Sequence, residues 1–384
     1  MFNNQQLFIF TDWFAPGHRA GGPITSCVNL AYAMRDHFSV SVVTSDRDLG
    51  AKQSYPSVTT DTWHSFDRGI RVRYCKPGIS RVKQVCKILD DAADATVFLN
   101  SMFSPSFTLL PLWLLSQDIN QNRVVLATRG MLKPSALKNK RWKKVPFLRL
   151  MQRWQFLKEL AFHATDEKER EDIFRVFGKE SRVAIVPNCT PKPQTLKKPV
   201  SKDPGTLKVI SVSRIHPIKN TLFLIDAIAD VRQSIVLDLY GPIEDSAYWS
   251  VCQRRIHTLP SHVQVNYRGE LASCDVRSHI ERYHLFGLAT KGENFGHAIY
   301  ESLSTGTPVL ISDQTPWRDL EQQRAGWDLP LDTTQSFTEA LETVAQFVQS
   351  EYDEWSVGAH TLAKHFCGSQ DTTELYKELF SKAA

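Results

Sequence analysis

Two glutamates eight residues apart, Glu293 and Glu301, flank a glycine in the stretch KGENFGHAIYESLSTGTPV, residues 291–309. Residues 293–296 read as a loop. Residues 297–305 read as a short helix, with Gly306 as its C-terminal stop and Pro308 just beyond. Gly296 lets backbone approach a ligand, and the free N–H groups and dipole of the helix start favour an anion there. A phosphate on those amides with a carboxylate on either side suits a sugar phosphate, its hydroxyls bonding the carboxylates. The plain alternative is a surface helix carrying two solvated glutamates.

Further groups share this chemistry. Arg214 and Lys219 flank a loop that follows a strand pattern at 207–212. A planar fork beside a point charge suits a diphosphate, although solvated basic loop residues would read the same way. Gly21, Gly22 and Pro23 open a helix after the apolar run at 6–11, a phosphate-type cradle or simply a tight turn. Asp46 and Asp48 form a D-x-D that could hold a divalent ion. Arg47 stands between them with no other ligand cluster nearby, so a solvated loop is the better reading and no metal is expected.

The elements that must position these residues alternate. Strand patterns at 6–11, 38–44, 70–74, 96–100, 123–128 and 183–186 are separated by helical ones, and 49–69 reads as a variable loop. Residues 190–205, rich in Pro and Lys and without apolar periodicity, read as a linker. Alternation then restarts at 207–212, 234–240, 263–267, 284–290 and 309–312, and the last 50 residues are helical by pattern. Strands alternating with helices imply parallel sheets covered on both faces, with ligands gathering at the C-terminal ends of the strands. Arg129 falls at such an end.

The 384 residues, 42% hydrophobic and 23% charged, are ordinary globular composition and enough for two cores. A net charge of +5 suits an anionic ligand or membrane surface and is weak evidence for nucleic acid. Seven scattered cysteines fit a reducing compartment and argue against structural zinc. The first residues lack a signal-peptide pattern, and no apolar run is long enough to span a bilayer, so a cytoplasmic location is expected. Residues 133–158 interleave Lys and Arg with Trp, Phe and Leu. Such a segment can lie on an anionic membrane, bind nucleic-acid phosphates, or be a basic helix with its apolar side in the core.

Together Gly21-Gly22, Ser213-Arg214 with Lys219-Asn220, Gly241-Pro242, Glu293-x7-Glu301 and Thr307-Pro-Val-Leu310 resemble the retaining glycosyltransferases of family 4. Asn294-Phe295-Gly296 stands where that family often has Gly-Phe-Gly, and Cys189 replaces the glycine of its Pro-Asn-Gly turn. Residues 44–50, 129–132 and 163–167 are similar to the subgroup that builds bacterial surface polysaccharides such as O-antigen.

The resemblance implies an α/β chain of the GT-B fold, two doubly wound Rossmann-like domains with a central cleft. The domains expected are 1–190, a linker at 191–206, 207–365, and a C-terminal helix in 366–384 packing back on the first domain. It implies a metal-independent enzyme with no cofactor, a nucleotide-diphosphate sugar as donor and a saccharide, polyprenyl-diphosphate-linked or free, as acceptor. The inner-membrane surface would meet 138–158, and no nucleic acid is expected. Arg214 and Lys219 would bind the diphosphate, and Glu293 the transferred sugar. The loop at Asn294 and the amides of Phe295, Gly296 and His297 would meet the phosphate, and Glu301 the ribose. Gly241, Glu270 and Leu271 would border the base, and Gly21 and Gly22 would approach the phosphates. His18 and Arg129 would line the acceptor side. A GT-B nucleotide-sugar 2-epimerase, or a basic membrane- or nucleic-acid-binding protein, is the alternative.

Overall fold

A computed structural model describes residues 5–382 apart from 68, 93, 118–122, 139–140, 155–159 and 369–370. The chain divides into two units, Met1–Thr190 with Asp371–Ala384, and Pro191–Gln370.

In the first unit the apolar runs become buried strands. β1 (Gln6–Phe10), β2 (Ser39–Ser45), β3 (Trp63–Asp67), β4 (Ile70–Cys75), β5 (Thr96–Leu99), β6 (Arg123–Ala127), β7 (Ala161–Ala164) and β8 (Arg182–Ile185) form one sheet. Its order is β3-β4-β2-β1-β5-β6-β7-β8. All pairings are parallel except β3 with β4. β3 corrects the reading of 49–69 as loop throughout. It is a half-exposed edge strand folded back on β4, so no continuous apolar run announces it.

The helices are α1 (Gly22–Met34), α2 (Ile79–Asp90), α3 (Leu110–Leu115), α4 (Pro134–Lys138), α5 (Arg141–Gln152) and α6 (Glu167–Phe177). A π-helical turn at Pro105–Leu109 leads into α3. α1 buries Ile24, Cys27, Leu30, Ala31 and Met34, one helical stripe. α6 starts where the Asp166 side chain accepts from the Glu169 N–H at 2.8 Å.

The second unit repeats the plan. It contains β9 (Thr206–Val212), α7 (Thr221–Ala229), β10 (Ser234–Tyr240), α8 (Ser246–Ile256), β11 (Val263–Gly269), α9 (Val276–Ile280), β12 (Leu285–Leu288), α10 (His297–Thr305), β13 (Val309–Ser312), β14 (Gly326–Leu329), α11 (Gln335–Gln346) and α12 (Gln349–Gly368). The sheet order is β11-β10-β9-β12-β13-β14, parallel throughout. In each unit the order reverses once, at β1/β5 in the first and β9/β12 in the second. The crevice at such a reversal is where open α/β sheets take ligands.

The stretch read as a linker is no free tether. Residues 191–205 carry no helix or strand, but they lie along the second unit. Tyr300 Oη donates to the Pro191 carbonyl at 2.7 Å, and the Lys202 ammonium is buried on the Ala345 carbonyl at 2.8 Å. Pro and Lys suggested a flexible segment, and these two long-range contacts hold it down. α12 runs on to Gly368, past the expected boundary at 365. The last helix, α13 (Thr372–Lys382), belongs to the first unit, where Tyr376, Leu379 and Phe380 are buried in the core.

Candidate functional site

The loops after β9 and β12 meet at the reversal of the second sheet. β9 ends at Val212, and the Ser213 N–H donates to the Tyr240 carbonyl and the Ile215 N–H to the Pro242 carbonyl, both at 2.9 Å. That ties the loop to the end of β10. Ile215 is buried beneath it. Asn220 adopts a left-handed conformation before α7, which ends the loop directly after Lys219. From β12, the Lys291 N–H bonds the Ile218 carbonyl at 2.8 Å, joining the two loops directly. Thr290, fully buried, donates to the same carbonyl at 3.1 Å.

The Lys219 ammonium lies 2.5 Å from Glu293 Oε2, and both side chains are largely buried. Burial would raise the Glu293 carboxyl, but the charge and hydrogen bond of Lys219 and the Asn294 N–H outweigh it and hold it below the usual range. The carboxylate is therefore ionised and has Lys219 as its counter-ion. Arg214 pairs with Glu244 in the loop after β10. Glu244 had no signature in sequence, since nothing local ties it to Arg214.

Gly296 caps α10 with φ 79°, and no side chain caps the helix start. A Cβ at Gly296 would stand 2.6 Å from Ile299 Cδ1, a side-chain end that would have to turn aside, and the positive φ itself favours glycine. The turn is braced from below: the Trp317 indole N–H donates to the Phe295 carbonyl at 2.7 Å, and Phe295 packs on His297, Tyr300, Trp317 and Phe366. The helix ends at Gly306 in the left-handed region, as its sequence pattern predicts. Glu301 sits one turn into α10. Burial pushes its carboxyl up to about 8, against the opposing pull of Arg277. Glu293 and Glu301 thus share the neighbourhood of one helix start but have opposite proton affinities.

Gly241 and Gly269 join the ends of β10 and β11, with the Gly241 N–H donating to the Gly269 carbonyl at 2.8 Å. Glu270 and Leu271 follow directly, and Leu271 packs partly against the core under α10. A Cβ at Gly241 would lie 2.1 Å from the Ser213 carbonyl oxygen, so glycine is required for this close approach.

In the first unit, Gly21 caps α1 and Gly22 begins it, after the loop that follows β1. The His18 N–H donates to Asp48 at 2.8 Å and its Nδ1 is 3.7 Å from that carboxylate. Asp48 also accepts from the Arg19 and Leu49 N–H groups, while Asp46 pairs with Arg47 and accepts from Ser54 Oγ at 2.6 Å. Both aspartates of the D-x-D are thus used in holding loops. Arg129, at the end of β6, turns its guanidinium onto Asn100 and Asn188. Glu169 was missed by sequence reading. It is buried and accepts from Thr128 Oγ1, the Gly130 N–H and the Thr165 N–H and Oγ1, clamping the ends of β6 and β7.

Of the basic segment 138–158, residues 139–140 and 155–158 lie outside the described ones. In α5, Leu148 and Met151 are buried in the core, while Trp142 and Leu150 are 74% and 70% exposed. No helix among the described residues is long and apolar enough to cross a membrane.

Residues 206–346 match the family model described as glycosyl transferases group 1. Among curated proteins none matches the chain. Among solved structures it is similar to Anabaena HepE in complex with UDP and glucose, at 14% identity over 99% of this chain and 100% of that one, TM-score 0.72. Sucrose-phosphate synthase from Thermosynechococcus elongatus matches at 15% identity over 99% and 100%, TM-score 0.71. An E. coli trehalose-6-phosphate structure bound with UDP-2-fluoro glucose matches at 9% identity over 99% of each chain, TM-score 0.67. At these identities the shared property is the fold, and that fold is GT-B: two parallel-sheet, Rossmann-like units with alternating helices.

Proposed function

We propose that the chain is a glycosyltransferase that moves a sugar from a nucleotide-diphosphate donor to a saccharide acceptor, with retention at the anomeric carbon and without a metal. The observation that carries this reading is the Lys219–Glu293 pair beside the uncapped start of α10, inside the region that matches the glycosyltransferase model. The donor diphosphate lies at the α10 amides, where the helix dipole and Lys219 offset its charge as it leaves. Arg214 adds a second cation, exchanging Glu244 for phosphate. Lys219 has three donors, so one can remain on Glu293 while others reach the phosphate. Glu293, kept ionised, accepts from the transferred sugar's hydroxyls. Glu301 accepts from the ribose, and Glu270 and Leu271 border the base.

The pathway proposed is assembly of a bacterial surface polysaccharide such as O-antigen on a polyprenyl-diphosphate-linked acceptor, at the cytoplasmic side of the inner membrane. The exposed Trp142 and Leu150 on basic α5 support contact with an anionic bilayer.

A thermal-shift screen against nucleoside diphosphates and their sugars tests the donor reading, because a ligand that binds only the folded chain raises its melting point. Stabilisation by one nucleotide series is expected, and lost in Lys219→Ala. No stabilisation by any of them sinks the reading. Formation of an epimeric nucleotide sugar without acceptor would replace it with an epimerase.

A further inference from the structure

We propose that Trp317 is a positioning residue for the donor phosphates: its indole N–H fixes the plane of the Phe295–Gly296 peptide so that the Gly296 N–H is presented to the ligand. It rests on the glycosyltransferase reading, which puts the diphosphate at the start of α10.

A peptide group is planar and trans, so the carbonyl of residue 295 and the N–H of residue 296 point in opposite directions. Trp317 Nε1 donates to the Phe295 carbonyl at 2.7 Å, and both residues are buried. Holding that carbonyl on the indole turns the Gly296 N–H the other way. Gly296 is buried and stands just before the first residue of α10, and its N–H meets no acceptor among the described residues. Buried backbone N–H groups are almost always paired, so this one marks where an acceptor from a ligand belongs. The preceding amides are already used: the Asn294 N–H is on Glu293 Oε1 at 3.1 Å and the Glu293 N–H on the Gln314 carbonyl at 3.0 Å.

The indole is itself fixed. Its ring centre lies 4.9 Å from that of Phe366, 5.8 Å from that of Phe295 and 6.3 Å from that of Tyr300, and the Trp317 backbone N–H donates to Thr315 Oγ1 at 3.3 Å. Gln314, Thr315 and Trp317 lie in the loop after β13, which pairs in parallel with β12, and the loop after β12 carries Glu293 to Gly296. Two loops that leave adjacent strands are thus locked by one backbone bond, at Gln314, and one side-chain bond, at Trp317. Any large apolar residue at 317 would fill this core, but the Phe295 carbonyl needs a donor, and the indole supplies one from an otherwise apolar ring.

The test compares wild type with Trp317→Phe, which keeps a ring in the cluster and removes the donor. Both are titrated by NMR with nucleoside diphosphates and with the corresponding nucleosides. A nucleoside has the base and the ribose but no phosphate, so a turn that presents an amide to phosphate matters only for the diphosphate. Diphosphate affinity is expected to fall about tenfold in Trp317→Phe, with nucleoside affinity unchanged. In the wild type the Gly296 amide resonance is expected to move with diphosphate and not with nucleoside, and this arm makes the test alone should Trp317→Phe fail to fold. Equal losses for diphosphate and nucleoside, which a general loosening of the site would give, overturn the proposal, as does unchanged diphosphate affinity. Diphosphate binding to the wild type that leaves the Gly296 amide unmoved sinks the proposal and leaves the donor reading standing. No diphosphate binding by the wild type sinks both.

Discussion

Lys219 Nζ and Glu293 Oε2 are 2.5 Å apart, joining loops 74 residues apart in sequence across the β9/β12 reversal. Lys219→Ala leaves Glu293 with burial and no counter-charge. A loss of about 1.5–3 kcal/mol in stability and at least about a tenfold drop in transfer are expected. Glu293 titrates below its ordinary 4.5 in the folded chain, so the stability it lends is present above that value and is lost as pH falls through the lower folded one. The melting-point difference between wild type and Lys219→Ala should therefore shrink on acidification. Lys219→Ala with Glu293→Gln should regain part of the melting point without regaining activity. An equal loss at all pH values would remove the ion-pair account.

Glu301 carries the opposite sign. Its folded carboxyl titrates at about 8 against an ordinary 4.5. Between those values the folded chain keeps a proton the unfolded chain has lost, so stability falls as pH rises through that window and the full penalty is present above it. Glu301→Gln should melt higher than wild type at about pH 8.5, with little difference at about pH 4, while weakening nucleotide binding at least about tenfold. Thermal melts at both pH values and a nucleotide titration check this.

Two glycines near the site should behave differently. Gly241→Ala drives a Cβ to 2.1 Å from the Ser213 carbonyl oxygen, and backbone cannot step aside. Gly296→Ala meets the end of the Ile299 side chain at 2.6 Å, which can rotate, leaving mainly the positive-φ strain of about 1–2 kcal/mol. Denaturant unfolding should show the larger loss for Gly241→Ala. Nucleotide affinity should fall in Gly296→Ala even where the fold survives.

Glu169 holds two loops of the first unit through four hydrogen bonds. Burial would raise its carboxyl, yet the bonds from Thr165, Gly130 and Thr128 hold it low. Glu169→Ala should cost about 3 kcal/mol or more, because buried donors lose a charged partner. Its contribution is present above the ordinary 4.5 and disappears as pH falls through the folded value, so the variant's deficit should narrow in acid. Denaturant midpoints at neutral and acid pH measure it.

Trp142 and Leu150 stand out from α5 while Leu148 and Met151 anchor its other side. Trp142→Ser with Leu150→Ser should reduce sedimentation with anionic vesicles several-fold and leave the melting point nearly unchanged, since exposed side chains contribute little to the core. Unchanged vesicle binding would withdraw the bilayer contact.

The sequence by itself determined the elements. Apolar runs ended at residues 240 and 312 where the strands end, and the helix at 297–305 stops at Gly306 as its pattern requires. These signals are local: side-chain period and turn chemistry need only near neighbours. It also supplied the residue types of the candidate site: Arg214, Lys219 and Glu293 stand on loops that follow strands, and Glu301 lies one turn into the helix after such a loop. Tertiary structure alone decided their partners and charge states. That Lys219 takes Glu293 while Arg214 takes Glu244, and that Glu301 is left to burial, follows from strand order, which no window of sequence contains. That residues 191–205 are held along the second unit, and that 63–67 form an edge strand, was hidden for the same reason. Composition reports propensity, but long-range hydrogen bonds and edge pairing decide whether such a stretch is held. Trp317 and Phe295, joined only because β12 and β13 are neighbours, became visible in the same way.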